Sequence, residues 1–126
     1  MAKRAPGKPA DSFEKVRQIG LRLPGAEEAT TFGKPALKVR GKMFACLASH
    51  RSAEPDSLVV RVDFEQRAEL LAAQPDLYYI TGHYQDYPAV LVRLPHAPAG
   101  VLQDLLGMAH RFVTRETARK PRLKRR

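Results

Sequence analysis

Residues Phe32 to Ala48 read FGKPALKVRGKMFACLA, and the fold is decided by how this stretch is read. Two extended runs flank a tight turn at Arg40-Gly41-Lys42. Before the turn, Leu37 and Val39 alternate with Lys38 and Arg40, the period of two of a half-buried strand. Gly41 supplies the positive φ that a short hairpin loop needs. After the turn, Met43-Phe44-Ala45-Cys46-Leu47-Ala48 is apolar at every position. Such a strand is covered on both faces, or exposes its second face only thinly. The rest of the chain is expected to cover this hairpin or to hang from it as basic tails.

Upstream, Asp11-Ser12-Phe13-Glu14 predicts a helix start, with a capping side chain and an acid near the positive end of the dipole. Phe13, Val16, Ile19 and Leu23 then share one helical face. Gly20 weakens this helix and Pro24-Gly25 ends it. Glu27 and Glu28 are expected in a short connection, as solvated carboxylates. A metal clip or an acid/base pair would need a His or a third acid at matching spacing, and none is present.

Downstream, a polar loop runs from Ser49 to Asp56. Ser57 to Asp63 predicts the third strand, with Leu58, Val60 and Val62 on one face and Val59 and Arg61 on the other. Asp63 caps a helix over Phe64 to Ala73, with Gln66 placed for a capping box. Gln74-Pro75-Asp76 stops it. Leu77 to Thr81 is an aromatic, β-branched strand. A loop follows from Gly82 to Tyr87, and a last strand from Ala89 to Leu94. Pro95 to Ala99 breaks the chain before a long amphipathic helix marked by Val101, Leu102, Leu105, Met108, Ala109, Phe112 and Val113. The expected order is α-β-β-β-α-β-β-α: one α+β domain with an antiparallel-rich sheet covered by helices.

The chain has 126 residues, enough for one domain with a real core. No apolar run approaches membrane-helix length, and no secretory h-region follows the charged N-terminus. The single Cys46 excludes an internal disulfide and suits a reducing cytoplasm. The net charge is +9. Residues 1–10 and 119–126 hold nine basic residues and no acid, so the stretch between them is neutral. We therefore expect a disordered basic tail at 1–10, a body at 11–115 and a basic C-terminal tail at 116–126. Such tails bind nucleic acid through counterion release, or simply solubilise.

Three blocks carry a resemblance: LPGAEEATTFGKPALKVRGKMFACL (Leu23 to Leu47), SLVVRVD (Ser57 to Asp63) and HYQDYPAVLVRL (His83 to Leu94). In this order and spacing they resemble the MmcQ/YjbR family. The resemblance implies a secretion-chaperone-like α+β fold and DNA binding through a "double wing" arrangement. Many relatives carry a Trp near the start of the last strand. Here Tyr87-Pro88 stands there and the chain has no Trp, so an aromatic site built on that Trp is altered.

DNA binding needs cations gathered on one surface, with polar or aromatic groups beside them. Lys38, Arg40, Arg61 and Arg93 are expected to line one sheet face, with Lys34 and Lys42 extending the patch. His83, Tyr84 and Tyr87 stack or hydrogen-bond at its edge, and Arg122, Lys124 and Arg125 add a basic tail. The competing reading makes His83, Tyr84 and Tyr87 the ring of a pocket for a peptide or a small ligand, with solubilising tails. The four histidines show no metal spacing, Cys46 is expected to pack as a small buried residue, and no phosphate-cradling glycine loop or nucleophile elbow is present. We expect no catalysis, cofactor or membrane association, and a DNA or protein partner in the cytoplasm.

Overall fold

The computed structural model describes the backbone of residues 9–124 and the side chains of residues 13–117. Its elements are α1 (Pro9–Gly20), β1 (Ala26–Thr31), β2 (Lys34–Val39), β3 (Lys42–Leu47), β4 (Ser57–Arg61), α2 (Phe64–Ala73), β5 (Tyr78–Tyr79), β6 (Ala89–Arg93) and α3 (Ala99–Lys124). The six strands form one sheet in the order β1-β2-β3-β4-β6-β5, and every pairing is antiparallel. This is the expected α+β domain with one strand added.

The added strand is β1, where Glu27 and Glu28 were expected in a connection. Its sequence, AEEATT, lacks the β-branched and aromatic residues that mark strands, apart from its two threonines. It forms because Phe32-Gly33 makes a two-residue turn with φ of 52° and 76°. Arg40-Gly41 repeats that geometry, with φ of 54° and 78°. Positive φ at both central residues defines the type I′ turn, whose twist matches that of the flanking strands. Two such turns eight residues apart fold β1, β2 and β3 into a meander. At the other edge, the strand expected from Leu77 to Thr81 shortens to Tyr78–Tyr79. α1 also starts earlier than expected, at Pro9, since proline is tolerated in a first helical turn.

α1 and α3 pack together on one sheet face. There Phe13 and Val16 of α1, and Leu102, Leu105, Leu106, Ala109 and Val113 of α3, meet Leu37, Val39, Leu58, Val60, Val90 and Val92 of the strands, all buried. Burial of one such aliphatic side chain contributes about 1.5–3 kcal/mol, so α3 is the main clamp on the sheet. Gly20 closes α1 against β2: a Cβ there would lie 2.2 Å from Leu37 Cδ1.

β3 carries a bulge. Leu37 pairs with Ala45 but Lys38 pairs with Met43, leaving Phe44 without a partner. Phe44 and Ala45 thus both enter the helix-side core. The extra residue inverts the alternation beyond it. Met43 turns to the open face, where it packs with Cys46. Lys42 turns to the helix side, where it meets Glu116 of α3 at 3.6 Å.

The open face is also apolar. Ala36, Cys46, Val59, Ala89 and Leu91 are buried there, with Met43, Ala48, Tyr79 and Ile80 around them. Among the described residues, no helix contributes to this cluster. Its cover is two loops, contributing Ala53 from the segment before β4 and Tyr84 from the segment between β5 and β6. Among the described residues, no helix is long and apolar enough to cross a membrane.

Candidate functional site

The loop from Gly82 to Tyr87 is held over the open face from below and beside. Arg67 of α2 donates to the carbonyls of Tyr84, Gln85, Tyr87 and Ala89, at 2.9 to 3.4 Å. α2 itself is anchored by Asp63, whose carboxylate accepts from the Gln66 N–H at 2.7 Å. The capping box is half-built, since Gln66 Oε1 is buried with no partner among the described residues. Opposite, Ser52 Oγ lies 2.8 Å from Thr81 Oγ1, and the His50 and His83 rings stack 3.5 Å apart at 9°. The two loops therefore act as one rim. The Ser52 N–H donates to His50 Nδ1. Partial desolvation and the neighbouring His83 and Arg51 hold His50 below the usual imidazole range, which suits that accepting nitrogen.

Between this rim and the β1–β2 turn lies a cavity of about 170 Å³. Val59 and Cys46 floor it, Met43 and Ser49 flank it, and Thr31, Phe32, His83, Tyr84 and Tyr87 form its walls. Among the described residues, no Lys, Arg, Asp or Glu lines it. Burial pushes the Cys46 thiol up to about 11 and raises both phenols, so the thiol and phenols stay protonated at neutral pH. Phe32 stands at the lip, 87% exposed and at positive φ. A larger, open groove of about 780 Å³ lies between the end of α2 and the start of α3, lined by Arg93 and His96 among others. It is a saddle between helix ends, and its arginine is already engaged.

The candidate cations divide into two sets. Arg61, only 6% exposed, is an internal strut. Its Nε donates to the Pro88 carbonyl at 3.1 Å, its Nη2 meets Glu116 at 3.2 Å, and its guanidinium lies over the Tyr87 and Phe112 rings. Arg93 is bidentate to Glu54 at 2.8 and 2.9 Å and stacks on Tyr79. Register puts Arg61 opposite Ala89 and Arg93 opposite Ser57, at opposite ends of the β4–β6 pair. The apolar Val59 and Leu91 lie between them, so the two arginines do not join into a patch. Lys42 is held on the helix side by Glu116.

Lys34, Lys38 and Arg40 form the other set. They follow one another along β2 and into its turn, and among the described residues they make no ion pair. Lys34 pairs across β1 with Thr31, a wall of the cavity. Lys38 faces Glu27 across β1 and Met43 across β3. Arg122 and Lys124 belong to the helical backbone of α3, whereas Arg125 and residues 1–8 of the tail expected at 1–10 lie outside the described residues; positions 9 and 10 of that tail begin α1.

The YjbR family model matches residues 21–112, which include every strand and all the walls of the cavity. The chain belongs to the YjbR family. Among solved structures it is similar to a Deinococcus radiodurans protein with the family domain DUF419, at 26% identity and a TM-score of 0.66, covering 86% of this chain and 83% of that one. No curated protein matches. Glu116, which neutralises both Arg61 and Lys42, lies just beyond the YjbR match and within the stretch expected as C-terminal tail.

His83, Tyr84 and Tyr87, grouped by their loop in the sequence, all wall one cavity. The sequence did not single out Phe32, His50 or Arg67. Phe32 carried a visible signal, an aromatic residue before a glycine where a hairpin turn wants Asn or Asp. His50 and Arg67 carried none, because the partners that build the rim, His83 and the carbonyls from Tyr84 onward, lie 17 or more residues away.

Proposed function

We propose that this YjbR-family chain is a non-catalytic DNA-binding protein that uses the open sheet face and the β2 edge of the cavity. The observation that carries the reading is the row Lys34, Lys38 and Arg40, without ion-pair partners among the described residues, beside an aromatic slot. At ~3.3 Å per residue the row spans about 20 Å. That is the rise of roughly six nucleotides of one DNA strand. The nine basic residues of the two ends add sequence-independent attraction. The protonated Cys46 thiol and phenols favour binding over nucleophilic chemistry.

One observation favours a second reading, a protein- or small-ligand-binding module. Arg61, Lys42 and Arg93 are already engaged by carboxylates, and the cavity wall holds no Lys, Arg, Asp or Glu among the described residues.

Fluorescence anisotropy of labelled single-stranded and duplex DNA at roughly 50 and 200 mM salt separates the two. The full chain is compared with Lys34→Ala/Lys38→Ala/Arg40→Ala and with Arg122→Gln/Lys124→Gln/Arg125→Gln. The first variant is expected to lower the slope of log K against log salt by about 2, as three phosphate contacts at ~0.7–0.9 each require. An unchanged slope there refutes the hairpin site. A loss confined to the second variant reduces the DNA affinity to its tail.

A further inference from the structure

The geometry points to a more specific role for the cavity, resting on the DNA-binding reading: it receives a single unpaired nucleobase, stacked against Phe32. Four observations carry this. The first is Phe32 itself. A large apolar side chain that is 87% exposed contributes little to the core, and its φ of 52° lies where non-glycine residues are disfavoured. A strained, exposed aromatic at the lip of a cavity is therefore read as serving a ligand.

The second is size. At about 170 Å³ the space is well below the roughly 300–1,000 Å³ of pockets that enclose a whole drug-sized molecule. It admits one flat ring system and leaves the rest of the ligand outside.

The third is chemistry. Aromatic walls from Phe32, Tyr84, Tyr87 and His83 offer stacking surfaces, and the sulfurs of Met43 and Cys46 add soft, polarisable contact. The hydroxyls of Thr31 and Ser49, the two phenols and the His83 ring offer donors and acceptors for the edge of a base. With no Lys, Arg, Asp or Glu in the wall, a phosphate, a carboxylate or an ammonium group meets no fixed counter-charge inside. The occupant is neutral and flat.

The fourth is what stands outside. Lys34 is the register partner of the wall residue Thr31 on the neighbouring strand and lines the adjoining hollow beside Ala48 and Glu54, so a cation stands one strand from the cavity for a backbone phosphate of the same nucleotide. A neutral ring inside with a phosphate at the rim describes a nucleotide of a single strand, bound by the stacking and charge that single-strand binders combine.

The test is a titration of a short oligothymidylate carrying one internal 2-aminopurine with the full-length protein, read by both anisotropy and 2-aminopurine fluorescence. Stacking is expected to quench the fluorophore and shield it from acrylamide. Phe32→Asn, which makes an Asn-Gly turn suited to this φ, is expected to keep a thermal midpoint at or above wild type. It should weaken oligonucleotide binding roughly 5- to 150-fold, the loss of one stacked base, and abolish the quenching. Phe32→Tyr should retain both. Binding with unaltered 2-aminopurine fluorescence overturns the inference while leaving the DNA-binding reading intact. No anisotropy change at all overturns both. Equal affinity for free 2-aminopurine riboside or for the tripeptide Gly-Trp-Gly would make the cavity a general aromatic pocket, and the nucleic-acid assignment would fall.

Discussion

Arg61 separates a structural cation from a binding one, and removing it has a calculable cost. Its guanidinium lies beneath Tyr87 and beside Phe112, 4.9 and 5.3 Å from their ring centroids, with Pro88 and Glu116 taking its hydrogen bonds. Truncation in Arg61→Ala removes two cation–π contacts of about 0.5–1 kcal/mol each at their least desolvated. It also loses a carbonyl bond and leaves Glu116 with Lys42 alone. Breaking a fully buried pair costs about 3–5 kcal/mol. Glu116 is 32% exposed by side chain, so water takes over part of its solvation. The estimate is therefore about 3 kcal/mol, the low end of that range. Arg61→Met, which keeps the side-chain packing but loses the same bonds to Pro88 and Glu116, should cost less than Arg61→Ala, about 2 kcal/mol. Glu116→Gln should fall between them. Urea unfolding of the three variants measures these costs through midpoints at constant m-value. DNA titrations of Arg61→Met at two salt concentrations should give the wild-type slope. A wild-type urea midpoint for Arg61→Ala together with a reduced salt slope would refute this reasoning, because Arg61 would then be contacting phosphate and not holding α3 to the sheet.

Two further outcomes test the packing and the rim. Gly20→Ala should destabilise by about 1–3 kcal/mol, the cost of overpacking, since its Cβ would meet Leu37 in the core; a neutral effect would mean α1 sits farther from β2. His50 is held below its ordinary value of 6.5, so the unfolded chain binds protons that the folded chain refuses. Stability is then intact above about 6.5 and declines as pH falls below it. His50→Gln should flatten that decline in chemical unfolding from pH 7.5 to 5, and an equal decline in the variant would place the proton elsewhere.

Much of this architecture is legible in the residues. Arg40-Gly41 marks a turn, Asp63 marks a cap, and the alternation in Ser57–Arg61 and Ala89–Arg93 marks two central strands. β1 was not legible by composition, because an edge strand with glutamates facing solvent has no need of β-formers. Its signal was the repeat of an X-Gly turn at Phe32-Gly33. The bulge at Phe44 leaves no mark in an all-apolar segment, yet it decides that Met43 faces the cavity and Lys42 faces α3. Arg61 reads as a solvent-facing residue between valines; the rings that lie over it and the carboxylate that answers it, Tyr87, Phe112 and Glu116, come 26 to 55 residues later. Sequence patterns report which face a residue occupies. They do not report which charges have already been answered by a distant element, and here that distinction splits the candidate cations in two.

The central claim is that the sheet's open face and the cation row along β2 are the binding surface. The most direct test is amide and methyl chemical-shift mapping of the isotopically labelled full chain as single-stranded DNA is added. The account predicts shifts concentrated at Phe32, Lys34, Lys38, Met43, Ser49, His83, Tyr84 and Tyr87. Shifts confined to residues 119–126, or spread over the outer faces of α1 and α3, would contradict it.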